Sequence, residues 1–256
     1  MDLLILATLV TAIGTIFLAA ATFYYAYTNY KLMVAQDKQL KRPRKNDEIH
    51  HVISPLISNY EAELRNAKDF DYWNNLRFIP FVNDLKKNSY IGFVYQDFIS
   101  DNPNLEPKIN KHDDILNKIN ERYNDLFDSI NTDEFQQEIK TRLEEFNQGT
   151  KKRIDLSSYK SLAKTMTYCI MNNSSLEENT VGDPYKSFWK KTGKELLKIR
   201  DKKSFMIKYN ELNKLFDELT RINKTLIDEL QTICNRYTRD YGITLESELK
   251  NRFEYQ

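Results

Sequence analysis

The residues of this chain that could do chemistry are few and widely separated. Three histidines are spread over 256 residues. Glu48, His50 and His51 are close in sequence, but adjacent histidines on a helix point about 100° apart and cannot easily face one metal ion. His112 falls on an apolar helical stripe, where a packed and satisfied side chain is a simpler interpretation than a general base. We therefore predict neither a metal site nor a catalytic histidine.

The sequence patterns of the common enzyme classes are also missing. The chain has six glycines, none clustered as a phosphate-binding loop needs, and it has no Cys-x-x-Cys pair or nucleophile elbow. Its two cysteines, Cys169 and Cys234, are far apart and fit a reducing compartment, where each would be a buried apolar side chain. We expect a protein that is not an enzyme, with no catalytic residue and no cofactor. The sequence identifies no small-molecule ligand.

The N-terminal segment predicts a membrane-spanning helix. No charged residue lies between Asp2 and Lys31, and the apolar run Leu3–Tyr27 has about 25 residues, where roughly 20 suffice to cross a bilayer core. A cleaved signal peptide is the alternative, with the alanines at 19–21 as its cleavage site. It fits poorly, because no basic residue precedes the run and the run is too long for a signal-peptide core.

The flanks of this helix predict its orientation. Only Asp2 precedes it, whereas the residues that follow it are strongly basic: Lys31, Lys38, Lys41, Arg42, Arg44 and Lys45. By the positive-inside rule the N-terminus lies outside and the rest of the chain in the cytoplasm. We therefore predict a single-pass protein of the plasma membrane, in contact with its lipids. The candidate headgroup contacts are Lys38, Lys41, Arg42, Arg44 and Lys45; fixing the topology would also explain them.

One face of the predicted membrane helix carries small and hydroxyl side chains at intervals of three and four residues. They are Thr8, Thr11, Thr15, Ala19, Thr22 and Ala26. Such a face lets another helix approach closely, which predicts self-association or docking on another membrane subunit. The alternative is that the threonine hydroxyls bond back to their own helix. A pore is not expected, because the span contains no ionisable residue.

The charge of the remaining chain argues against a nucleic-acid-binding protein. Without the six basic residues named above, Asp2 and Asp37, it has 32 basic and 35 acidic residues, and nucleic-acid-binding domains usually show the opposite balance. One helix, about Tyr185–Arg200, has a basic face made of Lys190, Lys191, Lys194 and Lys198. This face suits a membrane surface, an acidic partner or nucleic acid; an ordinary lysine-rich solvent face is the alternative.

The region after the membrane helix predicts further helices. The first helix should continue to about Leu40 and stop before Pro43, and Asn46 should cap a second helix that Pro55 kinks or splits. A group of aromatic residues then predicts either the core of a short helical hairpin or a surface that docks on the membrane. Its members are Phe70, Tyr72, Trp73, Phe78, Phe81, Tyr90, Phe93, Tyr95 and Phe98.

Beyond Pro107 the apolar residues recur every three or four positions. The first such helix, about 108–131, carries Ile109, His112, Leu116, Ile119, Tyr123, Leu126 and Ile130. The last, about Lys203–Tyr241, carries the seam Leu212, Phe216, Leu219, Asn223, Leu226, Leu230, Ile233 and Tyr237. We predict that these two helices pair antiparallel as a coiled-coil-like hairpin, in which Asn223 fixes the register. Asn223 on a solvent-facing position of a bent helix is the alternative.

Between and after these helices the pattern stays helical. Thr132 should cap a helix that ends at Gly149, another helix should cover about Leu156–Met171, and 172–184 should be a loop. Thr244 should cap a short terminal helix. No alternating strand pattern persists, so the predicted fold class is all-α. The predicted domains are a transmembrane helix (1–30), a basic juxtamembrane segment (31–45), an aromatic-rich helical subdomain (46–107) and a helical bundle or coiled-coil domain (108–256).

The first quarter of the chain resembles a loose set of uncharacterised prokaryotic, often archaeal, membrane proteins. The residues that carry the resemblance are ATFYYAYTNYKLM (21–33), the KRPR that follows, and IHHVISPLISNYEAEL (49–64). In such proteins a transmembrane helix ends in Tyr/Lys, a basic Arg-Pro step follows, and a Pro-Leu-Ile helix leads into a helical cytoplasmic part. The resemblance implies this topology and brings no activity with it.

These patterns together predict a membrane-anchored helical interaction module, a scaffold or assembly factor whose partners are other proteins or further copies of itself. Heptad-like seams without catalytic residues favour this hypothesis. The alternatives are an accessory or regulatory subunit of a larger membrane complex and, with less support, a membrane-tethered nucleic-acid or signalling effector.

Overall fold

The computed structural model describes residues 3–66, 80–150, 153–173 and 183–243. Every element of regular structure in these residues is helical, so the all-α prediction is confirmed. The helices are α1 (Leu3–Glu48), α2 (Ser54–Arg65), α3 (Phe81–Lys87), α4 (Ser89–Asp101), α5 (Glu106–Ile130), α6 (Asp133–Gln148), α7 (Tyr159–Asn172), α8 (Asp183–Leu196) and α9 (Lys203–Tyr241). A π-helical segment (Ile49–Ile53) joins α1 to α2, and 3-10 turns cover Leu156–Ser158 and Leu197–Asp201.

Helix α1 is longer than the local sequence rules predict. They place an end before Pro43 and a new N-cap at Asn46, but α1 runs through both residues to Glu48, so this prediction is wrong. A proline inside a helix removes a backbone hydrogen bond, at a cost of about 3 kcal/mol when nothing compensates. Burial begins two residues later at Lys45 and includes Ile49. Packing of these later turns can therefore hold the helix across the proline.

The π-helical segment ends two residues before Pro55. The Ser54 N–H bonds to the Ile49 carbonyl, five residues earlier, instead of following the α-helical pattern. Pro55 has no N–H to donate to the carbonyl four residues before it, and a π turn is a common way to absorb such a break. The predicted interruption at Pro55 is thus a change of helix type.

The chain divides into two compact units. The first combines Met1–Ser54 with Gln231–Gln256, and the second is Pro55–Leu230; these limits differ from the predicted domain limits at residues 30, 45 and 107. Among the described residues, the buried apolar side chains of the first unit are those of Ile49, Val52, Ile53, Ile233, Cys234, Tyr237 and Ile243. The second unit has an apolar core that extends from Ile115 in α5 to Leu219 in α9 and includes buried residues of α6, α7 and α8.

Helices α5 and α9 run antiparallel within the second unit. The ion pairs that join them are Lys108 with Glu229, Lys111 with Glu218 and Arg122 with Glu211. The residue numbers of the α9 partners fall as those of the α5 partners rise, so the two helices run in opposite directions, as predicted. All seven residues of the predicted α5 stripe and all eight of the α9 seam are buried. Supercoiling of this pair as a coiled coil stays a prediction.

The aromatic-rich region divides between the two predicted roles. Asn88 separates α3 from α4, and its side-chain oxygen accepts the backbone N–H groups of Tyr90 and Ile91 at 3.0 and 3.2 Å. Tyr95 and Phe98 are buried in the manner of a hairpin core, whereas Tyr90 and Phe93 are 52% and 64% exposed. Phe70, Tyr72, Trp73 and Phe78 lie outside the described residues, as do most of the predicted 172–184 loop and the predicted helix at Thr244.

The helices that form the core of the second unit follow the capping and spacing signals in their own sequences. The Thr132 hydroxyl accepts the Phe135 N–H at 3.2 Å and caps α6, which ends before Gly149 as predicted. In α8 the Trp189 indole lies so close to the backbone that a Cβ atom added at Gly193 would be 2.7 Å from it. Glycine at this position therefore lets a large ring cover its own helix, which fixes the buried face of α8 and leaves the opposite face to its lysines.

Candidate functional site

The apolar part of α1 is exposed from Thr8 to Tyr27. Within the described residues, one helix is long and apolar enough to span a membrane, and none of its apolar window is buried. Phe17 and Leu18 are 72% and 70% exposed, and every residue from Thr8 to Arg44 except Thr28 is exposed. A soluble protein would hide such a surface in its core. The other described residues therefore leave an apolar helix of membrane-spanning length uncovered.

The predicted packing face of α1 bonds partly to its own helix. The Thr15 hydroxyl donates to the Thr11 carbonyl, and the Thr22 hydroxyl donates to the Leu18 carbonyl, each at 2.8 Å. These are the intrahelical bonds that the sequence offers as an alternative to contacts between helices. All six residues of the face, from Thr8 to Ala26, are nevertheless exposed and small. Close approach of a second helix on this face stays a prediction.

The predicted lipid-headgroup patch loses one member. Lys38, Lys41, Arg42 and Arg44 are exposed on α1, but Lys45 is only 4% exposed. The Lys45 ammonium donates to both carboxylate oxygens of Glu48, at 2.8 and 2.9 Å. A lysine held in this way cannot reach a lipid phosphate, so its assignment as a headgroup contact is wrong.

Lys45 belongs to a buried group that we call the lysine cluster, made of Lys45, Glu48 and Tyr237. The Lys45 Nζ atom lies 3.3 Å from the Tyr237 hydroxyl and 4.6 Å from the centre of its ring. Glu48 is completely buried, and the Nε atom of Arg44 lies 3.4 Å from its carboxylate. The lysine cluster thus joins α1 to α9 inside the first unit, with the ion pair itself contained in one turn of α1.

A second buried group, the histidine cluster, joins three helices of the second unit. It consists of Glu63 in α2, His112 and Asp113 in α5, and Asn223 in α9. One carboxylate oxygen of Glu63 lies 2.8 Å from His112 Nε2 and accepts the Asn223 amide at 2.8 Å. The other accepts the side-chain amide of Asn59 at 2.8 Å. His112 Nδ1 lies 3.1 Å from the Asp113 carboxylate.

The surroundings of His112 favour its protonated form. Burial acts to lower the pKa of the imidazole, because a charged ring loses its hydration. Hydrogen bonds to Asp113 and Glu63 and the negative charges of both outweigh this effect and raise the pKa of His112 to about 9. At neutral pH both ring nitrogens then donate to carboxylates. The same charges, after burial itself, raise the pKa of Tyr60, whose ring lies edge-on to the imidazole at 4.8 Å.

The histidine cluster has the parts of an acid–base pair without access to a substrate. His112 is 1% exposed and Glu63 is 4% exposed. A general acid or base must come within hydrogen-bond distance of a substrate proton, and no such approach is open here. What the cluster can do is select one alignment of α2, α5 and α9, because sliding any of them would separate a buried charge from its partner.

The predicted basic face of α8 is open to solvent. Lys190, Lys191, Lys194 and Lys198 are all exposed, whereas Phe188, Trp189 and Leu196 on the other side are buried. The following 3-10 turn is anchored by Arg200, which donates to the Met171 carbonyl at 2.8 Å and so caps the C-terminal end of α7. Four lysines are thereby held on one surface.

A cavity of about 420 Å³ lies between the start of α6 and the α8–α9 connection. It is lined by apolar side chains, among them Phe135, Leu196 and Phe205, and by charged ones, among them Glu138 and Lys202. Glu138 and Glu195 are both bound by Arg142. Within the residues that the structure describes, no group of three or more His, Cys, Asp or Glu side chains is arranged to hold a metal ion.

The buried role of Glu63 was missed by reasoning from the sequence. The sequence patterns assign no role to Glu63. Its spacing was the available signal, since it follows Tyr60 by three residues and Leu56 by seven. Both of those residues are buried. His112 and Asn223, in contrast, were placed on their seams by the same periodicity.

In comparisons with models of protein families, with curated proteins and with solved structures, nothing matches this chain. The resemblance of residues 21–64 to prokaryotic membrane proteins accordingly stays a prediction.

Proposed function

We propose that this protein is a membrane-anchored helical interaction module, a scaffold or assembly factor that gathers partner proteins at the cytoplasmic face of the plasma membrane. The observation that carries this proposal is the apolar part of α1, which is exposed from Thr8 onward and is not covered by the other described residues. A bilayer core is the environment that matches its length and composition. The basic residues after Tyr27 support the orientation with the N-terminus outside.

The design of the rest of the chain supports a role in binding. The buried polar groups are used to fix helix alignment, and the lysines of α8 and the small-residue face of α1 are left on the surface. Both surfaces are exposed and so are open to partner proteins. The proposed function assigns no residue to catalysis.

The decisive experiment is gentle solubilisation of the full chain from its native membrane, followed by native mass measurement and identification of bound proteins. A scaffold or assembly factor is expected as an oligomer or with several partner proteins. A single partner complex of fixed stoichiometry would instead favour the accessory-subunit alternative. Recovery of the chain alone, as a monomer, would contradict both.

A matched pair of variants tests the packing face of α1. Replacing Thr11, Thr15 and Ala19 by leucine fills the small-residue face and should abolish oligomers or co-purification. Replacing Val10, Ile13 and Phe17 by leucine puts the same three leucines on the opposite face of the helix and should leave the oligomers or the co-purification intact. Equal effects of both triple variants would remove this face from the proposal.

A further inference from the structure

The start of α9 carries an exposed apolar pair in a basic setting. Lys203, Met206, Ile207 and Asn210 are spaced by three and four residues and are all exposed, so they form one solvent-facing strip. Met206 and Ile207 are 49% and 50% exposed. The opposite side of the same turns is buried through Phe205 and Leu212. Packing of α9 therefore fixes which way the apolar pair points.

The charges around this strip are mostly positive. Residues 197–208, LKIRDKKSFMIK, contain five basic residues and one acidic residue, Asp201. Two of the five are used internally, since Arg200 caps α7 and the Lys208 ammonium donates to the Asp125 carbonyl at 3.1 Å. Lys202 and Lys203 are exposed and form no ion pair with any described residue.

We propose that the exposed lysines and the apolar pair at the start of α9, which we call the α9 strip (Lys202, Lys203, Met206 and Ile207), contact the anionic surface of a bilayer. Lysines beside a lipid surface attract anionic headgroups, and apolar side chains next to them enter the boundary between headgroups and acyl chains. Two half-exposed apolar residues favour a lipid surface over nucleic acid, which would meet the lysines only. The inference rests on the proposed membrane anchoring, because a tethered chain meets lipid at a high effective concentration.

A spin label on the strip tests the contact in the full chain. Asn210→Cys, on the exposed face one turn beyond Met206, carries the nitroxide, and the chain is placed in nanodiscs of phosphatidylcholine alone or with phosphatidylserine added. Asn110→Cys is the matched control, an exposed asparagine of α5. Chain without an added cysteine measures the background from Cys169 and Cys234, which are buried.

With phosphatidylserine the Asn210 label should gain collisions with oxygen and lose collisions with a water-soluble nickel complex, while the Asn110 label stays aqueous. The double variant Lys202→Glu/Lys203→Glu should reverse this change, since each lysine lost near an anionic leaflet weakens the contact by about fivefold. Met206→Ser/Ile207→Ser should lose the oxygen collisions as well.

The failures of the two proposals differ. A chain that is not recovered in nanodiscs at all contradicts the membrane anchoring. A chain that is recovered there, with an aqueous label at Asn210 in both lipids, overturns the lipid contact alone. The same holds if the label is immersed equally in both lipids and the charge reversals change nothing. Protection of the label by an added oligonucleotide, without immersion in lipid, would assign the strip to nucleic acid instead.

Discussion

The histidine cluster and the lysine cluster are built from similar parts and differ in what they connect. Each contains one cation, a fully or nearly buried glutamate and a side chain of α9. In the lysine cluster the ion pair joins residues three positions apart in α1, and the Lys45 ammonium contacts both the hydroxyl of Tyr237, at 3.3 Å, and its ring. In the histidine cluster Glu63 reaches His112, 49 residues away, and Asn223, 160 residues away, both at 2.8 Å.

The difference shows which buried charges specify a fold. An ion pair contained in one helical turn can form whatever that helix packs against, so it does little to select the helix that packs beside it. A carboxylate shared between two other helices is satisfied in one arrangement only, and any other arrangement leaves a buried charge unpaired. We therefore expect the histidine cluster to dominate the stability and the alignment of its unit, and the lysine cluster to have a smaller effect.

The largest expected effect comes from Glu63→Ala. This change leaves the His112 imidazolium with only Asp113 and removes the acceptor of the Asn59 and Asn223 amides. Breaking a buried pair in this way costs about 3–5 kcal/mol of the free energy of unfolding. Chemical denaturation of the full chain in nanodiscs measures it.

The control for this variant is Glu61→Ala, two residues away on α2. The Glu61 carboxylate lies 3.8 Å from the Arg65 guanidinium, whose side chain is 68% exposed, so the loss should stay below about 1 kcal/mol. If both variants lose the same free energy, the histidine cluster has no special role.

The next effect is a pH dependence of the free energy of unfolding that comes from His112. The pKa of His112 is about 9 when folded, against the ordinary 6.5 of the unfolded chain. Its contribution is therefore complete below pH 6.5 and is lost as the pH rises to about 9. The free energy of unfolding should fall by about 3 kcal/mol across this window. Denaturation at a series of pH values measures it, and His112→Gln should flatten the slope. An unchanged slope in that variant would assign the dependence to another group.

Breaking the lysine cluster should cost less than breaking the histidine cluster. Glu48→Ala leaves Lys45 without its carboxylate, but the long lysine side chain can carry its ammonium toward water. We expect a loss of about 1–3 kcal/mol, below the full cost of an unpaired buried charge. Asp37→Ala, which removes the exposed pair with Lys41, is the control and should lose less than about 1 kcal/mol. A loss for Glu48→Ala that exceeds that for Glu63→Ala would reverse the comparison.

The part of this fold that the sequence predicts is the part set by local periodicity. The stripe of α5, the cap at Thr132 and the seam of α9 follow from spacing and side-chain type alone, and all lie where those signals place them. The predicted end of α1 before Pro43 is wrong because the cost of a proline inside a helix competes with burial of the next turns, from Lys45 onward. That burial depends on residues of α9, nearly two hundred positions later.

For a related reason, the sequence predicts only some members of the two clusters. His112 and Asn223 break an apolar pattern and so draw attention to themselves, whereas Glu63 and Lys45 look like ordinary surface charges. A buried charge is recognised by its partner, and the partners of Glu63 are 49 and 160 residues away. Periodicity identifies the face of a helix, but it does not identify the helix opposite.

The smallest effects should have opposite signs in the two clusters. Tyr60 Oη is buried beside the histidine cluster and has no hydrogen-bond partner among the described residues. Tyr60→Phe removes this unpaired group and keeps the ring against His112, so the free energy of unfolding should rise by about 1 kcal/mol. Tyr237→Phe removes an acceptor of the Lys45 ammonium and should lower it by about 1 kcal/mol. Both variants delete a tyrosine hydroxyl. A difference between their denaturation curves therefore reports the different surroundings of the two hydroxyl groups. Equal signs would mean that the hydroxyl of Tyr60 is satisfied in the folded protein, or that the contact of Tyr237 with Lys45 contributes nothing.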